Sequence, residues 1–265
     1  MNISYKTPKD IEAMREGGAI LGQILLDLAH FAEPGMTTLQ LDLKARELIK
    51  KYGSQPSFLG YRGFPGVICT AVNEEVVHTI PGTRVLQDGD LLKIDGGVYH
   101  KGFHTDSAIA IPVGPLGRKS DKIKKLIKTA EIALSSAIDL VRPDVPVRKI
   151  SQIIQDTIER NGYSVIRELS GHGIGKVLHE DPSITNYGSD APAFNLKAGM
   201  TIAIEPIFCI GKPGVKTLDD GWNIITKDRS WAVQVEHTML VTETGVEVLT
   251  RRAELDPLYP TLLQG

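Results

Sequence analysis

Five residues of types that hold divalent cations follow one another along the chain: Asp95, Asp106, His172, Glu205 and Glu236. Each lies in or against an apolar segment. Asp95 closes the run Leu91-Leu92-Lys93-Ile94, and Asp106 opens Ser107-Ala108-Ile109-Ala110-Ile111. Glu205 ends Thr201-Ile202-Ala203-Ile204, and Glu236 sits inside Val233-Gln234-Val235-Glu236-His237-Thr238-Met239-Leu240. A carboxylate in an apolar strand is costly unless a cation neutralises it. Four carboxylates and one histidine are hard to pair with the available Lys and Arg, whereas two divalent cations would neutralise them well. Carboxylates that bridge two metals make the site of a water-activating hydrolase. Taken singly, the residues have ordinary explanations: an Asp at a strand end is usually a turn or cap residue, Glu205 before Pro206 is a strand terminus, and Glu236 is half of an ion pair. The inference rests on the set.

His172 stands between glycines in Ser170-Gly171-His172-Gly173-Ile174-Gly175. Glycine permits close backbone approach and positive φ. A phosphate loop is a weak reading, because no basic residue has the spacing for it and no helical pattern follows. His179 comes seven residues later, in Leu178-His179-Glu180-Asp181-Pro182. His78, after Val76-Val77, reads alone as a solvent-facing strand residue. Together with His172, His179 and the four carboxylates, it reads as part of a site.

The elements that must position these side chains are legible in the patterning. Thr7-Pro8 starts a helix, whose periodicity runs from Ile11 to Leu28 and ends at Glu33-Pro34-Gly35. A second helix is expected from Thr38 to Lys51, with Gly53 past its end. Strand-like runs follow to Val113, then helices from Asp121 to Leu140 and from Arg148 to Arg160, closed by Gly162, then strands again. The two halves, about 1–115 and 116–265, repeat the order helix, helix, strands. Pro34 precedes Pro143 by 109 positions, as Leu41 precedes Ile150, Ala45 Ile154, Ile49 Ile158, and Gly53 Gly162. Asp95 and Glu205 are 110 apart. The expected fold is α+β: a duplicated unit in one catalytic domain spanning 1–265, with the metal site where the halves meet.

Composition bounds the function. The 265 residues carry a formal net charge of -2, which implies no broad basic surface for nucleic acid or anionic lipid. Lys122, Lys124, Lys125 and Lys128 fit the wet face of a helix. Two cysteines, Cys69 and Cys209, form no disulfide framework and point to a reducing compartment. No apolar run has signal-peptide or membrane-spanning length. The expectation is a cytoplasmic monomer, since no apolar helix stripe is left over. Cys69, in Val67-Ile68-Cys69, reads as a small buried hydrophobe rather than a nucleophile.

Seven segments, in order and spacing, resemble the type I methionine aminopeptidases, which have the pseudo-twofold pita-bread fold with an antiparallel sheet covered by helices. They are Val72-Asn73-Glu74-Glu75-Val76-Val77-His78-Thr79-Ile80-Pro81, Lys93-Ile94-Asp95, Gly102-Phe103-His104-Thr105-Asp106, Gly171 to Gly175, Leu178 to Pro182, Ile204-Glu205-Pro206 and Glu236-His237-Thr238. The resemblance covers essentially the whole chain. It implies two divalent cations bridged by Asp106 and Glu236, with Asp95 chelating one and His172 with Glu205 completing the other. Such a donor set suits Mn(II), Fe(II) or Co(II) and accepts Zn(II). The resemblance further implies that Glu205 takes the proton of the activated water, that His179 hydrogen-bonds the oxyanion, and that His78 contacts the scissile amide nitrogen. Phe58, Tyr61, Phe64, Cys69, Leu178 and Trp222 would line the methionine pocket. Phe58 stands where cysteine is frequent in bacterial members and Leu178 where phenylalanine is, which alters the pocket's shape and leaves it apolar. A monovalent cation held by backbone carbonyls near Asn73, Glu75 and Ala232 is a further family feature. The substrate implied is the initiator methionine of nascent chains with a small second residue, met at the ribosome.

Two other functions compete. X-Pro peptidases share the fold but carry a large extra N-terminal domain, whereas here the first helix begins by Pro8. A non-catalytic binding relative should have lost ligands, and all five are present with His78 and His179. The long helical insertion of type II enzymes is also missing between His179 and Glu205.

Overall fold

The computed structural model describes residues 2–252. Its first half opens with two helices, α1 (Pro8–Phe31) and α2 (Thr38–Lys51), both started by capping boxes. Thr7 accepts from the Asp10 amide at 3.3 Å while Asp10 accepts from the Thr7 amide at 2.9 Å, so two of the orphan donors at the helix start are satisfied. The helices cover a long antiparallel pair, Asp90–His100 with Phe103–Val113. Strands Ile68–Val72 and Gln55–Pro56 extend the sheet on the other edge of Asp90–His100. Gly96 lets α1 close onto this sheet: a Cβ there would stand 3.2 Å from Ile68 Cγ2 and 3.7 Å from Leu21 Cδ1.

The second half has α3 (Ser120–Ile138) and α4 (Val147–Arg160). Helix α3 ends two residues before the expected Leu140. These helices share a core with a five-stranded sheet in the order Val246–Val248, His237–Val241, Thr201–Ile204, Ser170–Gly173, Glu180–Thr185. Lys122, Lys125 and Lys128 lie on the exposed face of α3, with Lys124 half-buried. Among the described residues, no helix is long and apolar enough to cross a membrane.

The duplication goes down to individual hydrogen bonds. Helices α2 and α4 are both 14 residues long, and both are followed by a glycine in the left-handed region, Gly53 at φ 66° and Gly162 at φ 82°. The isolated bridge Thr37↔Val85 is repeated as Pro146↔Asn195. The Gly35 amide donates to Leu86 O at 2.8 Å, and the Asp144 amide to Leu196 O at 2.8 Å. Where the halves meet, Ala108 and Glu236 exchange backbone bonds: Ala108 N to Glu236 O at 3.4 Å, Glu236 N to Ala108 O at 3.0 Å. A reciprocal pair is what a local twofold axis requires of equivalent positions. The strand registers agree. Asp95 faces Ala108. Ile204 faces His237, so the next position, Glu205, comes level with Glu236.

The ligand strands extend beyond what the patterning marks. Asp95 closes its apolar run but not its strand, which continues to His100, with Cys69 and Ala108 opposite Asp95. Residues 90–98 are buried on both faces, so no polar alternation marks where the carboxylate falls. Nor does Glu236 lie inside one continuous strand. Ala232–Gln234 pairs with Ile207–Cys209, while His237–Val241 pairs with Thr201–Ile204. Glu205 and Glu236 therefore both sit where their chains pass from one sheet to another. Pro206, with no N–H to give to a ladder, fits this break.

Candidate metal centre

All five candidate ligands and both cleft histidines line one cavity of about 260 Å³, together with Phe58, Tyr61, Phe64, Cys69, Leu178 and Trp222. The paired strands of the first half deliver Asp95 and Asp106. Strand Ser170–Gly173 delivers His172, and the two sheet-switch points deliver Glu205 and Glu236. The glycines beside His172 are close-approach positions. A Cβ on Gly171 would lie 2.3 Å from Ala203 O, and one on Gly173 2.1 Å from Asp181 O.

Ligand atoms of Asp106, His172 and Glu236 all lie within 4.8 Å of one another. His172 Nδ1 is 2.8 Å from Gly173 O. A carbonyl only accepts, so Nδ1 carries the proton and Nε2 keeps its lone pair, 3.9 Å from Glu205 Oε1. Burial lowers the His172 pKa to about 4, so the ring stays neutral, as a ligand must. The carboxylates move the other way. Burial raises Asp95 to about 7. Burial first, then the neighbouring carboxylates, pushes Asp106, Glu205 and Glu236 well above the usual range. Asp95 Oδ1, Asp106 Oδ1 and Glu236 Oε1 are buried without a hydrogen-bond partner. Orphaned carboxylate oxygens beside a neutral imidazole nitrogen fit divalent cations, and without them the carboxylates are costly to ionise.

His78 is not a strand residue facing solvent. It lies just past strand Glu75–Val77 at φ 56°, half-buried, and burial lowers its pKa. His179 stands at the rim with its ring stacked on Tyr61 at 5.3 Å, and its Nδ1 is 2.9 Å from the Tyr61 hydroxyl. The packing round it, with His172 and His78 near, lowers its pKa. Among the apolar residues, Phe64 is buried and meets Trp222 edge-on at 5.0 Å and Phe58 at 6.4 Å. Leu178 is 2 % exposed and Cys69 4 %. Burial drives the Cys69 thiol pKa well up, consistent with a packing residue rather than a nucleophile.

Three residues here were not singled out from sequence. Gln234 donates through Nε2 to Asp95 Oδ2 and to Glu205 Oε2, both at 3.3 Å, bridging a carboxylate from each half. Its signal was present: a polar residue two positions before Glu236 in an otherwise apolar run. Arg62, at φ 49° in the short 3-10 turn Tyr61–Gly63, lines the cleft mouth and left no pattern to read. Lys93, two residues before Asp95, is 1 % exposed.

The profile of metallopeptidase family M24 matches residues 12–243. The chain belongs to metallopeptidase family M24. Methionine aminopeptidase 1 of Bacillus subtilis (strain 168) is 45 % identical over 249 residues, covering 94 % of this chain and 99 % of that one. The crystal structure of a methionine aminopeptidase from Thermotoga maritima superposes with a TM-score of 0.90 at 37 % identity, over 94 % of this chain and all of the other. A prolidase from Pyrococcus horikoshii OT3 reaches a TM-score of 0.75 at 22 % identity, over 93 % of this chain and 63 % of the prolidase. The last likeness shows the shared pita-bread fold alone; the first two place the chain in the methionine aminopeptidase branch of M24. M24 membership makes it a metal-dependent hydrolase, and the α+β pita-bread expectation holds.

Proposed function

We propose that the chain removes the initiator methionine from nascent polypeptides with small second residues, using water activated between two divalent cations. The observation that carries the two-metal reading is the set of buried, partnerless carboxylate oxygens on Asp95, Asp106 and Glu236, with ligand atoms of Asp106 and Glu236 within 4.8 Å of one on His172. Asp106 and Glu236 would bridge, Asp95 would chelate one ion, and His172 with Glu205 would complete the other. The ions, when bound, supply an acidified water and a polarised scissile carbonyl. Mn(II), Fe(II), Co(II) and Zn(II) all suit the donor set.

The protein's own groups do the rest. Glu205 accepts the water's proton and returns it to the departing amine. Gln234 holds Glu205 Oε2, leaving Oε1 for that exchange. The Tyr61 hydroxyl, donating to His179 Nδ1, leaves the Nε2 proton for the carbonyl oxygen as it becomes an oxyanion. His78, neutral through burial, contacts the scissile nitrogen. Phe58, Phe64, Cys69, Leu178 and Trp222 offer an apolar wall that an unbranched thioether can fill. On this reading the chain is one catalytic domain acting as a cytoplasmic monomer on chains emerging from the ribosome.

Mass spectrometry of Met-Ala-Ser and Leu-Ala-Ser peptides, with metal-stripped protein and with added Mn(II) or Co(II), tests this. Release of Met alone, and only with metal, is expected. Cleavage of both peptides removes the specificity, and cleavage of neither by metal-loaded protein refutes the reading.

A further inference from the structure

Lys93 puts an amine in a place where lysine is rarely found. It is 1 % exposed and is among the largest fully buried side chains of the described residues. Among the described residues, no carboxylate lies within ion-pair distance of it. Its ammonium instead donates to a backbone carbonyl, Asn73 O, at 3.0 Å. Burial lowers its pKa to about 7, opposed by the negative charge of Glu75, Glu74 and Asp90 nearby and reinforced by the positive charge of Arg84, all beyond direct contact with the amine.

The Asn73 carbonyl is aimed by an unusual turn. Asn73 has φ 55°, and each of its other polar groups is engaged. Its amide donates to Leu91 O at 2.9 Å, its Oδ1 accepts from the Leu91 amide at 3.0 Å, and its Nδ2 donates to Asp90 at 2.8 Å. The carbonyl accepts a second bond from the Ala232 amide at 3.0 Å. Asn73 and Ala232 are two of the three positions whose carbonyls the family resemblance offers to a monovalent cation. With the ammonium and the Ala232 amide on it, the Asn73 oxygen has no lone pair left, so a free cation does not fit.

We infer that Lys93 is a tethered monovalent cation: its ammonium occupies the carbonyl site at Asn73, and the chain takes up no free sodium or potassium there. The consequence reaches the metal centre through the backbone. Lys93 and Asp95 alternate onto the same face of their strand. The ammonium holds the Asn73 turn, the turn holds Ala232, and two residues on Gln234 grips Asp95 and Glu205. Lys93 is thus a positioning residue beneath the cluster. The inference goes beyond the peptidase reading, and its test reads stability rather than turnover, so each can fail alone.

The thermal midpoint of the Mn(II)-loaded protein is measured across a potassium and a sodium series, with choline keeping ionic strength constant. The wild type is expected to be indifferent to the exchange. Lys93→Ser, which opens space beside the carbonyl, is expected to have a lower midpoint that potassium or sodium raises saturably by several degrees, as mass action requires. Lys93→Met, which fills the space without charge, should be lowered and unresponsive. A saturable response in the wild type overturns the inference, as does an anomalous peak at Asn73 O in thallium(I)-soaked wild-type crystals. Indifference of a folded Lys93→Ser protein also overturns it, because the site then binds no cation even when open. If that variant does not fold, the wild-type titration and the thallium soak decide.

Discussion

Replacing Asp95 with asparagine should make the protein more stable without metal and less stable with it. Burial raises the Asp95 pKa from 3.8 to about 7. The folded protein thus holds that proton more tightly than the unfolded chain, and metal-free stability falls as pH rises from near 4 through about 7. About three pKa units at about 1.4 kcal/mol each make the penalty at most about 4 kcal/mol at pH 8. Asparagine is isosteric and keeps an oxygen for the Gln234 amide, but its own NH₂ replaces the orphaned Oδ1 and costs about 1–3 kcal/mol if unpaired. The net gain is about 1–3 kcal/mol, or roughly 2–8 °C for a chain of this size. Differential scanning calorimetry of EDTA-treated protein at pH 8 should show that rise, and at pH 5, where wild-type Asp95 keeps its proton, the rise should disappear. With saturating Mn(II) the order should reverse, since a neutral amide oxygen binds the ion less well. Equal destabilisation of the metal-free variant at pH 5 and pH 8 would show that Asp95 is not a costly buried charge. An unchanged Mn(II) shift would show that it is not a ligand.

Glu205→Gln should retain much of its metal by elemental analysis and lose about 10²–10⁴-fold in kcat, the range for a lost general base; a mild loss would move the proton transfer elsewhere. Tyr61→Phe removes the hydroxyl against His179 and should lower kcat by about tenfold, equivalent to about 1.4 kcal/mol, with metal content unchanged. Leu178→Phe should narrow the pocket and change KM for Met peptides and for their norleucine analogues; identical constants would put Leu178 outside the substrate wall. Gly173→Ala forces a Cβ to 2.1 Å from Asp181 O, so soluble protein with normal Mn(II) affinity would contradict the close-approach account of His172.

How far the sequence could be read follows from where the constraints lie. Helix α2 was legible to its ends because its stripe and closing glycine are local signals. So was the repeat, because α4 reproduces the same signals at a constant offset. The ligand residues stood out as charges in apolar runs. Their exact settings did not. Asp95 lies mid-strand in a segment buried on both faces, where hydrophobicity is continuous and carries no phase. Glu236 sits at a sheet switch that only the pairing of Ala232–Gln234 with Ile207–Cys209 creates. His78 was placed in the site only through its company; alone it read as an ordinary strand residue, because nothing local announces its left-handed backbone. Gln234 and Lys93 act through partners more than 15 positions away in sequence, and no spacing rule reports such pairings.

The reciprocal backbone bonds between Ala108 and Glu236 have a consequence for ion choice. They work as a caliper. The main chain on either side of the axis sets the gap across which Asp106 and Glu236 face one another, and the Thr238 hydroxyl, donating to Asp106 O at 2.7 Å, locks the same joint. An ion of larger radius cannot be admitted by sliding the halves apart, since that breaks main-chain bonds in a dry interior. With the proposed ligand set, differences in radius would be absorbed by rotation at Asp95, His172 and Glu205. Size discrimination would thereby reside in the joint between the repeats, while the cleft wall, made of side chains alone, remains free to diverge without disturbing it.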